Sequence, residues 1–552
     1  MKIIIVGGVA GGASAATRAR RLDESAEIIL VERGPDVSFA NCGLPYYLGG
    51  EIQERQKLLV VTPERMKERY RLDVRTRSQV ESINRTAKTV SIRDLASGRT
   101  YEESYDRLIL SPGASPLKPP LPGIEHPVVQ TLRNLEDTDR IKKLLQRGIK
   151  RAVVVGAGFI GLEMAEALVH QGIATSLVEL QDQVLPPLDK ELTTPIARTL
   201  KQRSIQLYLQ HSVTRFHTID DHSVEVELQN GMRLPAELVI LSIGVRPENQ
   251  LAQSAGLEIG PRGGIRVNAQ LQTSDLYIYA VGDAIETRDA LTSDPTQVPL
   301  AGPANRQGRL AADHLFGRTV RFRGVQGTSI VRVFDMTAAL TGATEKVLLR
   351  RQQPFSKIYL HPAHHAGYFP GAEGMTLKVL FAPDTGKLLG AEAVGGAGVD
   401  KRIDILSVAM QAGMTVFDLE EMELAYAPPY GSAKDPINMA GFIGAGLVRG
   451  DHPQVHVSDY LALPAASRPL TVDVRLASEF AQGNLPGALH IPVDELRGRL
   501  QELPRQPIVV YCQVGMRGYL ATRILLQAGY DVKNLSGGYR TWQLYHDDQA
   551  SK

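Results

Sequence analysis

Residues 156–161 read Gly156-Ala157-Gly158-Phe159-Ile160-Gly161. The β-branched run Ala152–Val155 precedes them and the apolar stretch Leu162–His170 follows. A second run, Thr175–Val178, ends at Glu179. Strand, G-x-G-x-x-G, helix, strand and acid in this order predict a βαβ unit that holds a dinucleotide. The glycines give the tight turn, close backbone approach and helix–strand packing, and the pyrophosphate faces the helix N-terminus. Glu179 would bond the adenosine ribose 2′-hydroxyl and repel a 2′-phosphate, which selects NADH over NADPH. No arginine directly follows Glu179, in keeping with that selection.

Upstream, the pattern occurs once more. The apolar run Ile3–Val6 feeds Gly7-Gly8-Val9-Ala10-Gly11-Gly12, then the helical stretch Ala13–Arg21 and the strand Glu27–Val31, which ends at Glu32-Arg33. Val9 stands where the second glycine belongs, but the strand–turn–helix–strand–acid order is intact. Leu108-Ile109-Leu110-Ser111-Pro112-Gly113-Ala114 is a strand running into a turn, followed by a stiff connector with Pro116, Pro119, Pro120 and Pro122. Leu238–Val245, with Gly244 near its end, reads as the return to the first domain. Tyr277–Val281 then leads into Gly282-Asp283, a carboxylate placed where a flavin's ribityl chain would run; Ala301 completes the cofactor set.

Between the first acid and the connector lies Ser38–Gly50, SFANCGLPYYLGG, which holds Cys42. Gly43 and Pro45 stop regular structure and set the thiol on a turn. A buried small hydrophobe is the plain alternative for a cysteine. Polar Ser38 and Asn41 and the pair Gly49–Gly50 favour a redox thiol, of the kind that helix N-termini and cations activate.

The chain has 552 residues, which bounds it at roughly three or four domains. Sixty-two basic against 60 acidic residues give +2, so nothing points to nucleic acid or a membrane surface. Two cysteines exclude a disulfide framework and fit a reducing compartment. No charged leader with an apolar segment opens the chain, and no apolar run approaches the roughly 20 residues of a membrane span. A soluble, cytoplasmic, multidomain protein is expected.

Past Gly450 the composition changes. Asp451–Ser467 reads as a polar, Pro-containing linker. Val472-Asp473-Val474-Arg475, Gly487-Ala488-Leu489-His490-Ile491-Pro492 and Ile508–Tyr511 are short strands, the last ending at Cys512. The loop Cys512-Gln513-Val514-Gly515-Met516-Arg517 opens a helix, and Gly537-Gly538-Tyr539 with Trp542 close the chain. A loop that opens a helix aims backbone N–H groups at one point, here a thiolate or persulfide. The helix end and Arg517 would lower the Cys512 pKa.

Two nucleotide sites, the Gly-Asp strand and Cys42 together resemble the pyridine nucleotide–disulfide oxidoreductase superfamily. Tyr46 and Tyr47 stand where a C-x(4)-C partner would be, so the resemblance is to the single-cysteine branch, with NADH peroxidase, NADH oxidase and coenzyme A-disulfide reductase. Residues 365–371 (HAGYFPG) and 425–436 (AYAPPYGSAKDP) are similar to the coenzyme A-disulfide reductases, and the tail resembles a rhodanese domain with its C-x-x-G-x-R loop. The resemblance implies FAD, NADH and coenzyme A, and Tyr368 and Tyr426 of a partner subunit assisting the thiolate leaving group at Cys42. It implies Arg18, Arg21, Arg71, Asn305 and Lys434 at the coenzyme A nucleotide and Ser38 and Asn41 at its thiol end. Expected are an α/β chain with an FAD domain (1–112 and 241–320), an NAD domain (113–240), an α+β dimerisation domain (321–447), a linker (448–467) and a rhodanese domain (468–552). The implied activity is NADH-driven reduction of coenzyme A persulfide, coenzyme A disulfide or polysulfide by a homodimer, without a metal. An NADH oxidase or peroxidase cycling through Cys42 sulfenic acid, and a non-catalytic flavin redox sensor, are the rivals.

Overall fold

The computed structural model describes residues 1–546. They group into two compact units, 1–182 with 204–327 and 183–203 with 328–552, the latter described to 546.

The first unit holds two five-stranded parallel sheets of like topology. In one, the order is Ile278–Ala280, Arg107–Leu110, Lys2–Val6, Glu27–Val31, Asp73–Arg75; in the other, Gln206–Leu209, Ala174–Glu179, Arg151–Val155, Leu238–Leu241, Val129–Thr131. Each central strand is a continuous Ile or Val run, as burial on both faces requires. Ile3, Ile4 and Ile5 are fully buried. The strand Ile278–Ala280 pairs with Arg107–Leu110, so the chain leaves the first sheet, builds the second and comes back. Leu238–Leu241 closes the second sheet, and the return is made by the short antiparallel pair Ala114–Pro116 and Val245–Pro247.

In the second unit, an antiparallel sheet runs Ser329–Val333, Met336–Gly342, Leu388–Gly395, Met375–Phe381, Ser356–Leu360, with the helix Val399–Gln411 against it. A parallel tail sheet follows: Gln454–Val455, Val532–Leu535, Ile508–Tyr511, Leu470–Asp473, Leu489–His490.

Two sequence expectations change here. The helix Lys190–Gln202, expected within a 113–240 domain, packs in the second unit. Its entry residues explain why: buried Lys378 Nζ donates to Asp189 Oδ2 (2.8 Å), Glu191 Oε1 (2.7 Å) and Glu345 Oε2 (2.7 Å). A buried ammonium must be paired with carboxylates, and these pairs hold the helix to the sheet.

The stretch 448–467 is not a linker. Gln454–Val455 adds an edge strand to the tail sheet, and the helix Val457–Ala462 sinks Val457 and Tyr460 into the tail core. Buried His452 meets Asn534 Nδ2 through Nε2 (2.8 Å), and the Tyr460 hydroxyl bonds Thr471 (2.8 Å). The polar and proline residues suggested a loop, while the apolar Val455, Val457 and Tyr460 dock it.

Candidate active sites

The two glycine turns are built alike. Gly7 and Gly156 adopt φ of +97° and +99°, which glycine accepts without strain. A Cβ on Gly12 would collide with the Gly7 carbonyl, and one on Gly161 with the Gly156 carbonyl, so each third glycine is needed for helix–strand contact. Nothing lies within 4 Å of where a Gly158 Cβ would be, an open side suited to a pyrophosphate. Neither helix, Ala10–Leu22 or Phe159–His170, has a side-chain N-cap, so first-turn N–H groups remain for an anion. These residues fit a dinucleotide at each turn.

Both acids are already engaged. Gly8 N–H and Gly34 N–H donate to Glu32 (2.8 Å each); Ala157 N–H (2.7 Å) and Gln181 N–H (2.9 Å) donate to Glu179. Each carboxylate therefore shapes its own glycine turn as well as facing the ribose position. Arg33 ion-pairs with Glu248 (2.8 Å), which also accepts from Arg133 (2.9 Å) and Ser115. Burial opposes the Glu248 charge, yet these donors hold the carboxyl down to about 2. Buried Gln307, which no sequence motif marks, accepts from Gly282 N–H (2.8 Å) and fixes the Gly-Asp turn. Burial pushes the Asp283 carboxyl up, with Arg133 opposing. Ser111 and Gly113 (φ +77°) lie in the turn after Arg107–Leu110, Gly244 (φ +117°) precedes Val245–Pro247, and Ala301 opens the helix Ala301–Leu315.

Cys42 is exposed, on a 3-10 turn Asn41–Gly43 that leads into the helix Leu44–Gly49. Although the residue as a whole is exposed, the surrounding protein pushes its thiol up, ahead of the Glu163 and Asp283 carboxylates. Burial and these two acids thus oppose the thiolate that the sequence leads one to expect at Cys42, against the turn's own backbone, which favours it. Ser38 takes φ +48°, with its N–H on the Gly8 carbonyl (2.8 Å), which ties the cysteine stretch to the first glycine turn.

Of the basic candidates, Arg18 is engaged by Asp313 through Nε (2.9 Å) and Nη2 (2.6 Å), rather than open to a phosphate. Arg20 is buried against the carbonyls of Tyr70 and Arg71 (2.8 and 3.0 Å), which brings exposed Arg71 to the helix end that carries exposed Arg21. Asn305 accepts from Ser14 (2.5 Å) and donates to the Ala301 carbonyl (2.8 Å). Ser14 was missed by the sequence reading, although it lies one helical turn before Arg18. Lys434 is exposed and belongs to the second unit.

In that unit Tyr368 and Tyr426 are exposed and their hydroxyls meet at 2.8 Å. This hydrogen bond pushes the Tyr368 phenol up. Phe369 and Tyr430, close to them in sequence, are exposed as well.

In the tail, Cys512 is 1% exposed and its Sγ accepts from Gly515 N–H at 3.1 Å. Gly515 caps the helix Met516–Gln527 with φ +108°. Gly538 (φ +64°) lies so near that its Cβ would strike the Cys512 carbonyl. Arg517 forms a fork with Glu479 (2.6 and 2.7 Å), a partner the sequence reading did not name. The fork and the nearby Cys512 sulfur raise the Arg517 guanidinium further. Arg475 is buried on Asp473 (2.6 Å) and reaches Gln513 (3.1 Å).

Comparison with known proteins matches three successive parts of the chain. The model of the family described as pyridine nucleotide-disulphide oxidoreductase matches residues 1–308, its dimerisation domain 328–435, and a rhodanese-like domain 457–545. A coenzyme A disulfide reductase of Staphylococcus haemolyticus is 38% identical over 443 residues, 80% of this chain and 98% of the relative. The crystal structure of reduced CoADR-RHD from Bacillus anthracis superposes with a TM-score of 0.96 at 47% identity, over 100% of this chain and 98% of that one. The NAD-dependent persulfide reductase of A. fulgidus gives 0.92 at 37% identity, over 98% and 100%.

Proposed function

Because the chain belongs to the pyridine nucleotide-disulphide oxidoreductase family and ends in a rhodanese-like domain, we propose that it is an NADH-dependent flavoprotein reductase of coenzyme A persulfide, coenzyme A disulfide and polysulfide. The observation that carries this reading is the division of two unpaired cysteines between an exposed turn after the first nucleotide unit and an N–H-lined loop in the tail.

FAD, when bound, relays the two electrons of NADH. The Gly7–Gly12 and Gly156–Gly161 turns hold the two pyrophosphates at helix N-termini, with Glu32 and Glu179 on the ribose sides. Cys42 takes the substrate's sulfur as a mixed disulfide, and its thiol returns on reduction. The Tyr368–Tyr426 pair of a partner subunit donates a proton to the departing thiolate. Ser38 and Asn41 line the thiol end of coenzyme A, and Arg21, Arg71, Asn305 and Lys434 its nucleotide. Cys512 carries sulfane sulfur. With 448–467 folded into the tail, no swinging linker serves it, and a diffusible carrier thiol links the two cysteines. We place the enzyme in the cytoplasm as a homodimer, on its unpaired cysteines and its dimerisation domain. Among the described residues, no helix is long and apolar enough to cross a membrane.

The test is steady-state NADH oxidation with coenzyme A persulfide, coenzyme A disulfide, polysulfide, peroxide and oxygen side by side. The sulfur substrates are expected to dominate. Faster turnover of oxygen or peroxide would favour the oxidase or peroxidase reading, and negligible flux on all five the sensor.

A further inference from the structure

Among the described residues, the guanidiniums nearest the Cys512 loop each meet a carboxylate or are directed elsewhere. Arg517 is held bidentately by Glu479, whose Oε2 also accepts from Leu476 N–H (2.9 Å). That third bond fixes the carboxylate at the start of the helix Ala477–Ala481, so the fork is a built arrangement. Arg475, 1% exposed, is paired with Asp473 and stacks over the Tyr539 ring at 4.2 Å. Arg540 bonds Gln513 O through its backbone N–H (3.0 Å), and its guanidinium lies beside Gly374, just before the strand Met375–Phe381. The net charge offered to an incoming donor at Cys512 is therefore reduced, although Arg517 stays close enough to feel the sulfur. What remains is the N–H of Gly515 and the helix opening at Met516.

We propose that Glu479 sets the sulfur-donor specificity of Cys512: by neutralising Arg517 it leaves a site for a singly charged persulfide and disfavours doubly charged thiosulfate. This rests on Cys512 being the sulfur-accepting thiol. In the favoured step the outer sulfur of a persulfide bonds to the Cys512 sulfur as the donor's S–S bond breaks. The donor leaves as a thiolate, Cys512 becomes the persulfide, and no electrons are gained or lost overall. The same step from thiosulfate would release sulfite, so both donors can be compared with one acceptor. At the reacting end a persulfide brings one charge to the loop and thiosulfate brings two, while coenzyme A's phosphates lie at the far end of its pantetheine arm; thiosulfate therefore depends more on an uncompensated cation, and the Glu479 carboxylate compensates the partly exposed Arg517.

The experiment measures thiocyanate formed from cyanide by the full-length holoenzyme, with coenzyme A persulfide or thiosulfate as donor, above the uncatalysed rate. The parent is expected to favour coenzyme A persulfide by at least about tenfold in kcat/KM. In Glu479→Gln the thiosulfate KM falls and its kcat/KM rises on the order of tenfold, while the persulfide value stays within about twofold. Glu479→Asp keeps the charge and should keep the parent's ratio. In a Cys42→Ser background, Glu479→Gln should speed Cys512 alkylation by anionic iodoacetate more than by neutral iodoacetamide. An unchanged donor ratio in Glu479→Gln, or a parallel loss with both donors, overturns the proposal; the latter would make Glu479 a mere support for the loop. Should Glu479→Gln not fold, the parent decides alone, and equal or better use of thiosulfate overturns it. Thiocyanate formation that survives in Cys512→Ser would instead remove the underlying reading of Cys512.

Discussion

The two cysteines sit in opposite electrostatic settings. Around Cys42, the surrounding protein mass and the Glu163 and Asp283 carboxylates all disfavour a thiolate. At Cys512 a backbone N–H points at the sulfur, a helix begins at Met516, four residues on, and the nearby Arg517 guanidinium is paired with Glu479. The first setting suits sulfur held covalently, as thiol or disulfide, and discharged when electrons arrive. The second suits sulfur held as an anion. Exposure and surroundings run opposite ways: the exposed cysteine faces two carboxylates, and the buried one receives a backbone N–H.

The largest effect that would break this contrast is at Cys42. Cys42→Ser should abolish NADH-driven reduction of every sulfur substrate, to below a few per cent of the parent, with FAD still bound, because the glycine turns and Glu32 are untouched. Flavin absorbance and substrate turnover measured on one sample check it; persistent persulfide turnover would show that Cys512 can take electrons itself.

Cys512→Ser comes next. Reduction of preformed coenzyme A persulfide should remain within about twofold, while thiosulfate and persulfide sulfurtransferase activity disappears and most activity with elemental sulfur or polysulfide is lost. Equal losses in kcat/KM on both substrate classes would put both cysteines on one obligatory path. The folded 448–467 stretch sharpens this test, since a flexible tether can no longer be invoked for direct exchange.

Glu179→Ala should touch only the Cys42 side. It removes the ribose acceptor and the Ala157 N–H bond together. NADH kcat/KM should fall roughly tenfold, NADPH less, and the gap between them narrow. Sulfurtransferase activity at Cys512 should not change. Equal use of both cofactors by the parent would show that the acid does not select between them.

How much of this was legible in the sequence follows from how local each signal is. The glycine turns, their acids and the Cys512 loop are contiguous motifs whose spacing is itself the geometry, so they could be read directly. The Tyr368–Tyr426 hydrogen bond joins residues 58 apart in sequence and was reached only through the family resemblance. Glu479, Gln307 and Ser14 act across tertiary contacts and have no motif around them. Arg18 illustrates the converse: a charge read as facing a phosphate is engaged by Asp313, a partner almost 300 residues away. The docking of 448–467 was hidden for the same reason, because its strand and helix are too short to show periodicity.

The smallest effect concerns Glu163, and it bears on why Cys42 is discouraged from ionising. Burial is the leading cause and the Glu163 charge the second, ahead of Asp283. Glu163→Gln keeps the side chain's size and an acceptor for the Tyr46 hydroxyl, which donates to Glu163 Oε1 at 3.2 Å. It removes one negative charge, so the thiolate becomes easier to form and the Cys42 alkylation profile moves toward lower pH. At neutral pH, in a Cys512→Ser background, alkylation should speed up by roughly threefold, a modest gain because burial remains. Steady-state reduction of coenzyme A persulfide should change less than this, since Cys42 works there as one half of a disulfide. An alkylation profile that does not move would leave burial and Asp283 as the causes, and one that moves toward higher pH would reverse the sign assigned to Glu163.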